Sequence, residues 1–214
     1  MAKKKVIQLP KGYISYSQMS LWMSSPERYK RLYFDGDQTA RISNSGMDYG
    51  SLFADALEHG KETGDLLTDT ALALLPKYDV RDKEIIVDLP TKDGAIKLLG
   101  RPDMLDSKTL AFREVKTGKI KWTQGKANKW MQLKFYAMMI YLHHGVVPPS
   151  VYLDWVETYK NDDGNVEPTG HIERFRVKIT LKNILETMAL TSKVAKEIEA
   201  EWVVHVPQPP EAPF

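Results

Sequence analysis

Asp103 and the triplet Glu114-Val115-Lys116 are the residues of this chain whose types and spacing could act together. Ten residues separate the two carboxylates. If that stretch is two strands joined by a turn, Asp103 lies across from the end of the second strand. Glu114 and Lys116, two apart on a strand, point to the same sheet face. One face then presents two carboxylates and an ammonium. Buried like charges raise each other's pKa unless a cation sits between them. A hard, oxygen-liganded ion such as Mg²⁺ relieves that repulsion and takes one or two carboxylates, completed by waters and substrate phosphate. Such an ion polarises a phosphoryl oxygen and acidifies a bound water. Lys116 beside it can hold the attacking water or offset developing negative charge. The same residues also fit a plain salt-bridge ladder, Asp103–Lys116–Glu114, on an exposed sheet face.

The flanking sequence adds a basic cluster. From Lys116 to Lys134 there are six lysines and no acidic residue, with Trp122 and Trp130 interleaved. Lys119, Lys121, Lys126 and Lys129 with Trp122 could track a phosphate backbone and stack bases. The competing readings are core packing for Trp130 and a solvated face for Lys126 and Lys134. On a helix, Lys129, Gln132 and Tyr136 share one face. The cluster is local, because 30 basic and 28 acidic residues leave the 214-residue chain at +2 overall.

These side chains need elements to position them. Ser17 is expected to cap a short helix over 18–23, and Ser25-Pro26 to start a second, from Glu27 to about Phe34. Residues 36–46 read as a loop, and Asp48 to His59 as a helix with Leu52, Phe53, Ala56 and Leu57 on one face. A short helix is expected over 66–75. Strands are then expected at 83–89, 95–105 and 109–116, joined by tight turns as an antiparallel meander. One long helix, 123–144, stops at Gly145 before Pro148-Pro149. Two more strands, 151–159 and 171–179, flank the turn Asn161–Asn165, and Thr180 caps a last helix reaching about Trp202. The result is an α/β chain with one sheet.

Composition bounds the rest. With 43% apolar and 27% charged residues the chain is globular. The absence of Cys removes disulfides, zinc–thiolate sites, iron–sulfur clusters and thiol nucleophiles. It also suits a reducing cytoplasm, of a bacterium or a phage-infected host. No apolar run has membrane-spanning length, no secretion signal is read, and no phosphate-loop motif of the nucleotide-triphosphatase kind is present. Expected organisation is a flexible basic end over 1–14, a single domain over 15–203 and a Pro-rich tail over 204–214.

In the order of its motifs the chain resembles the PD-(D/E)XK nuclease superfamily, in its RecB-like and phage-exonuclease branch. The resemblance spans Ser15 to Glu199. It is carried by Ser15-Tyr16-Ser17 with Pro26-Glu27-Arg28-Tyr29, by Gly50 to Glu58, by Gly100-Arg101-Pro102-Asp103, by Glu114-Val115-Lys116-Thr117-Gly118-Lys119, and by Gln132 to Tyr136. The resemblance implies a restriction-endonuclease-like core, a central mixed sheet flanked by helices. It implies a Mg²⁺- or Mn²⁺-dependent deoxyribonuclease, an exonuclease in recombination, repair or end processing. A structure-selective or restriction-type endonuclease and a non-catalytic DNA-binding protein are the alternatives. Asp103, Glu114 and the Val115 carbonyl would be metal ligands, Lys116 the catalytic lysine, and Gln132 and Tyr136 would line the site. The motif's usual His falls on Ala54 here, which leaves Asp55 as a further metal-side carboxylate and His59 one turn on. Expected partners are single- or double-stranded DNA ends, a recombination annealing or single-strand-binding protein, and a second copy of the chain.

Overall fold

The structure is a computed structural model describing residues 6–81 and 84–205. The Lys3-Lys4-Lys5 run and the Pro-rich segment 207–214 lie outside the described residues. Contacts group the described residues into two compact units, one over 6–41, 86–99 and 186–205, the other over 42–81, 84–85 and 100–185.

In chain order the elements are α1 (Tyr16–Ser24), α2 (Pro26–Tyr33), a 3₁₀ turn (Gln38–Ala40), α3 (Ser45–His59), α4 (Leu66–Leu74), β1 (Val80–Arg81) and β2 (Ile85–Thr91). Then follow β3 (Gly94–Gly100), β4 (Met104–Leu105), β5 (Phe112–Gly118), α5 (Gln124–Lys129), α6 (Met131–His144), β6 (Val151–Lys160), β7 (Val166–Val177) and α7 (Leu181–His205).

The first unit rests on α1, α2 and the β2–β3 hairpin. Ser15, two residues before the expected cap, closes α1 by accepting the Gln18 N–H. Pro26 occupies the first turn of α2, where its missing N–H is not needed. Tyr29 is fully buried, edge-on to Trp22 at 5.2 Å, and its hydroxyl donates to Gln18 at 3.2 Å. Residues 6–14 are not a flexible end. Ile7, Leu9 and Ile14 are buried, and the Ile7 and Ile14 N–H groups donate to the Ala95 and Lys97 carbonyls. Three apolar residues in a nine-residue run were enough to tie the segment to β3.

The second unit holds a mixed five-stranded sheet in the order β1-β4-β5-β6-β7. β5 and β6 are parallel, and the other neighbours are antiparallel. The expected single sheet with a 95–105 strand is therefore corrected. β2 and β3 form their own two-stranded sheet, and the chain changes sheets at Arg101-Pro102-Asp103. Pro102 has no N–H for a ladder, so a strand cannot run through it undisturbed. Pro168 falls in β7, an edge strand where a proline is tolerated, and a bulge lies between Val156 and Thr158 on β6.

Helices cover both faces of this sheet. Phe53 and Leu57 of α3 and Ala71 of α4 pack with Met104 and Val156, against Val115. On the opposite face, Tyr136 of α6 meets the Phe112 ring edge-on. The expected single helix over 123–144 is broken at Trp130, whose ψ of 114° is extended. Trp130 instead packs edge-on against Trp122 at 5.0 Å, so a tertiary contact overrides local helix propensity.

A buried ion pair ties three strands together. Asp154 on β6 is fully buried and accepts both Arg113 on β5, at 2.8 and 3.1 Å, and Arg174 on β7, at 2.7 Å. The Arg113 guanidinium also stacks over the Tyr152 ring at 4.2 Å. Removing one partner strands the other charge in the core. Asp154→Ala is therefore expected to lower the unfolding free energy by about 3–5 kcal/mol in urea denaturation. Arg174→Ala, partly exposed, should lose about 1 kcal/mol or less. An Asp154→Ala protein as stable as wild type would refute the role given to this pair.

Candidate active site

Asp103 leaves the broken ladder and reaches β5, where its Oδ2 accepts the Val115 N–H at 2.6 Å. Glu114 points to the α6 face and is buried, with 1% exposure. Its Oε1 accepts from Lys116 Nζ at 2.7 Å and from Gln132 Nε2 at 2.5 Å. Gln132 Nε2 also donates to the Tyr136 hydroxyl at 3.1 Å. The residues chosen from the sequence for the chemistry, Asp103, Glu114, Val115, Lys116, Gln132 and Tyr136, are thus brought together. Of the salt-bridge ladder the Lys116–Glu114 rung is present, and its carboxylate is buried rather than on an open sheet face.

Electrostatics follow from that burial. Loss of water, then the charge of Asp103, push the Glu114 carboxyl up to about 8, against the opposing pull of Lys116. Burial, then the Glu114 charge, hold the Tyr136 phenol far above its ordinary value, so the hydroxyl keeps its proton. Glu114 Oε2 is buried without a hydrogen-bond partner. An orphaned carboxylate oxygen beside a second carboxylate fits a hard divalent cation. No group of three or more His, Cys, Asp or Glu side chains suited to a metal is found among the described residues. The side-chain donors here are therefore two carboxylates, a set that Mg²⁺ accepts.

The site opens into a cleft of about 850 Å³ at the carboxyl end of β5. Parallel strands of open α/β sheets present ligands there, outside their carboxyl ends. Asp103, Val115 and Lys116 form its floor side, and the start of α3 lines it from Asn44 onward. Gly50 lets α3 come close, since a Cβ there would sit 3.3 Å from Thr117 Oγ1. Lys119, Trp122 and Lys126 also line the cleft, with the Lys126 ammonium 4.0 Å above the Trp122 ring. Lys121 and Lys129 do not. Lys121 leans toward Glu173 at 3.8 Å, and Lys129 is exposed elsewhere on α5.

Asp55 is not brought to the site. Its side chain is 64% exposed and pairs with His59 Nδ1 at 3.2 Å. Ala54, at the motif's His position, faces the cleft instead. A helix turns successive side chains by about 100°, and at Asp55 that turn carries the side chain out to solvent. Lys160 went unread in the sequence, and Trp130 was weighed there only as an interleaved aromatic or as core packing. Lys160 lines the cleft from the end of β6, and its signal was a cation at the close of a predicted strand. Trp130 donates its indole N–H to Gln132 Oε1 at 3.3 Å, and its signal was a Trp two residues before a site Gln.

No family model matches the sequence, and no curated protein matches it. The fold is similar to solved structures. One described as SSO0001 aligns with a TM-score of 0.52 and 12% identity, covering 92% of this chain and 79% of the other. A candidate exonuclease from Eubacterium rectale aligns at 0.55 and 13% identity, covering 90% and 83%. An alkaline exonuclease from Laribacter hongkongensis aligns at 0.48 and 17%, covering 90% and 91%. The first two establish the mixed-sheet α/β fold.

Because folding raises the Glu114 pKa from 4.5 to about 8, the folded chain binds more protons than the unfolded one between those values. Stability of the metal-free protein should therefore fall as pH rises through that window. Glu114→Gln should flatten this part of the profile in thermal melts taken across it. A variant whose profile keeps the full wild-type slope would show that Glu114 is not the group responsible.

Proposed function

We propose that this protein is a Mg²⁺- or Mn²⁺-dependent deoxyribonuclease that hydrolyses DNA phosphodiester bonds, working as an exonuclease on DNA ends in phage-type recombination, repair or end processing. The observation that carries this reading is the buried Glu114 carboxylate. It has one oxygen held by Lys116 and Gln132 and the other without a partner, next to a lysine-lined cleft whose lining includes Asp103 and Lys116. The name of the Eubacterium rectale neighbour, a candidate exonuclease, supports the same reading.

Asp103, Glu114 and the Val115 carbonyl are the groups that would hold the ion. When bound, it supplies Lewis-acid polarisation of a phosphoryl oxygen and a more acidic water. Lys116 Nζ stands at the cleft floor, where it can hold the attacking water or offset charge gathering on the phosphoryl oxygens. Gln132 keeps Glu114 Oε1 engaged and so leaves Oε2 for the ion. Tyr136, which stays protonated, fixes Gln132 from below. Lys119, Lys126 and Lys160 give a phosphate backbone in the cleft cations to meet, and Trp122 offers an aromatic wall.

Incubation of linear and circular DNA with Mg²⁺ tests the reading. Loss of linear DNA alone, stopped by EDTA, is the expected result, whereas nicked circles would mean an endonuclease. Glu114→Ala, Asp103→Ala and Lys116→Ala should each lose most activity, because such groups act as a unit. Cleavage that survives exhaustive chelation, or a Glu114→Ala protein keeping a substantial share of wild-type turnover, would end the proposal.

The grip on DNA has a separate readout. In Ca²⁺ or without metal, Lys119→Ala with Lys126→Ala should flatten the log–log salt dependence of binding by about one to two units, at roughly 0.7–0.9 per phosphate contact. Lys121→Ala and Lys129→Ala should leave the slope near wild type. Equal slopes for both pairs would place the DNA path away from this cleft wall.

A further inference from the structure

We infer that Trp130 is a positioning residue that fixes the side-chain amide of Gln132, and through it the Glu114 carboxylate; the catalytic consequence rests on the function proposed above. The argument is one of donors and acceptors. An indole N–H can only donate, and an ionised carboxylate can only accept. An amide between them has one orientation that satisfies both. Its oxygen faces Trp130 Nε1, at 3.3 Å, and its nitrogen faces Glu114 Oε1, at 2.5 Å. In the flipped orientation the amide oxygen would face the carboxylate and its NH₂ would face the indole N–H, two repulsive contacts in place of two attractive ones.

Glu114 asks for the amide nitrogen from one side and Trp130 for its oxygen from the other. The Tyr136 hydroxyl can donate or accept, so it tolerates either end of the amide. The Lys116 ammonium contacts Glu114 Oε1. Trp130 therefore supplies the directional element on the oxygen side of the amide.

Its own position is built in. Trp130 sits at the break between α5 and α6, capping neither with its side chain, and its extended backbone puts Gln132 in the first turn of α6. Its ring rests edge-on against buried Trp122, which lines the cleft and carries Lys126 over its face. The wall that would touch a bound phosphate backbone is thus in direct contact with the residue that orients the carboxylate's partner. An aromatic at 130 kept only for packing would not need a ring N–H.

Trp130→Phe removes the N–H and keeps an aromatic ring against Trp122. Losing one orienting hydrogen bond is expected to lower kcat about five- to tenfold with KM within about twofold. In a Gln132→Leu background the same substitution should change kcat by less than about twofold, since a residue acting through Gln132 has nothing left to act on. An unchanged kcat in Trp130→Phe, or an equal loss in both backgrounds, would overturn the inference. A second measurement needs no catalysis. Hydrogen exchange of the Trp130 indole N–H, followed by NMR in the full metal-free chain, should speed up about fivefold in Gln132→Leu. Equal exchange rates would overturn the inference. Faster exchange in a protein that cleaves no DNA would uphold the hydrogen bond and reject the nuclease reading instead.

Discussion

A carboxylate buried with only one of its two oxygens satisfied is the constraint on which the site depends. An isolated charge of this kind is expelled from a protein interior or neutralised. Glu114 is kept by an ammonium, an amide and an unfilled direction. Each partner has its own requirement. Lys116 must lie two residues on along β5, so that strand alternation returns it to the same face. Gln132 must sit in the first turn of α6, which requires a break before that helix. Tyr136, one turn further, meets the same amide because residues four apart share a helix face. Gly100 is part of the same packing, since a Cβ there would lie 2.7 Å from Met139 Sδ and 3.0 Å from the Tyr136 ring.

The other face of β5 carries the counterpart. Arg113 and Val115 alternate with Glu114, so a buried guanidinium on one side directly precedes a buried carboxylate on the other. Arg113 Nη1 donates to both oxygens of Asp154, and Arg174 completes the set. A pair of this kind contributes less net stability than its short distances suggest, because both charges are desolvated. What it does supply is geometry. β5 is fastened to β6 and indirectly to β7 from the face opposite Glu114, and the backbone bearing Glu114 cannot shift without separating buried charges. Val115 then serves both faces, packing in the α3–α4 core while its N–H holds Asp103.

The site was more legible in the sequence than the sheet that carries it. Asp103, Glu114 and Lys116 were readable because alternation along a strand is local, and Gln132 and Tyr136 because helical spacing is local. Sheet membership is not local. Residues 83–116 read as one meander, yet Pro102 splits the expected second strand between two sheets, and no periodicity records which neighbours the halves find. β1, two residues long, left no pattern at all. The helix break at Trp130 escaped for the same reason. No proline or glycine marks it, and the Trp122 contact that stabilises it depends on tertiary packing. Asp55 failed differently. Sequence adjacency to a motif position was read as spatial adjacency, and on a helix one residue is enough to leave the cleft.

The basic cluster shows how topology converts a linear run into a surface. Six lysines between 116 and 134 look like a single stripe in the sequence. The chain leaves β5 at Gly118, turns into α5, and returns through α6 to begin β6 beside it, as a parallel pair requires. That crossover distributes the run. Lys116, Lys119 and Lys126 remain on the cleft, while Lys121 is drawn toward Glu173 and Lys129 toward solvent. The same parallel register brings in a cation from 44 residues further on. Gly118, the last residue of β5, pairs with Glu157, so β6 runs three residues further and Lys160 reaches the same opening as Lys119. The positive wall of the cleft is therefore a property of the parallel β5–β6 pair. Lys160, outside the run, is on it, and three members of the run, Lys121, Lys129 and Lys134, are not.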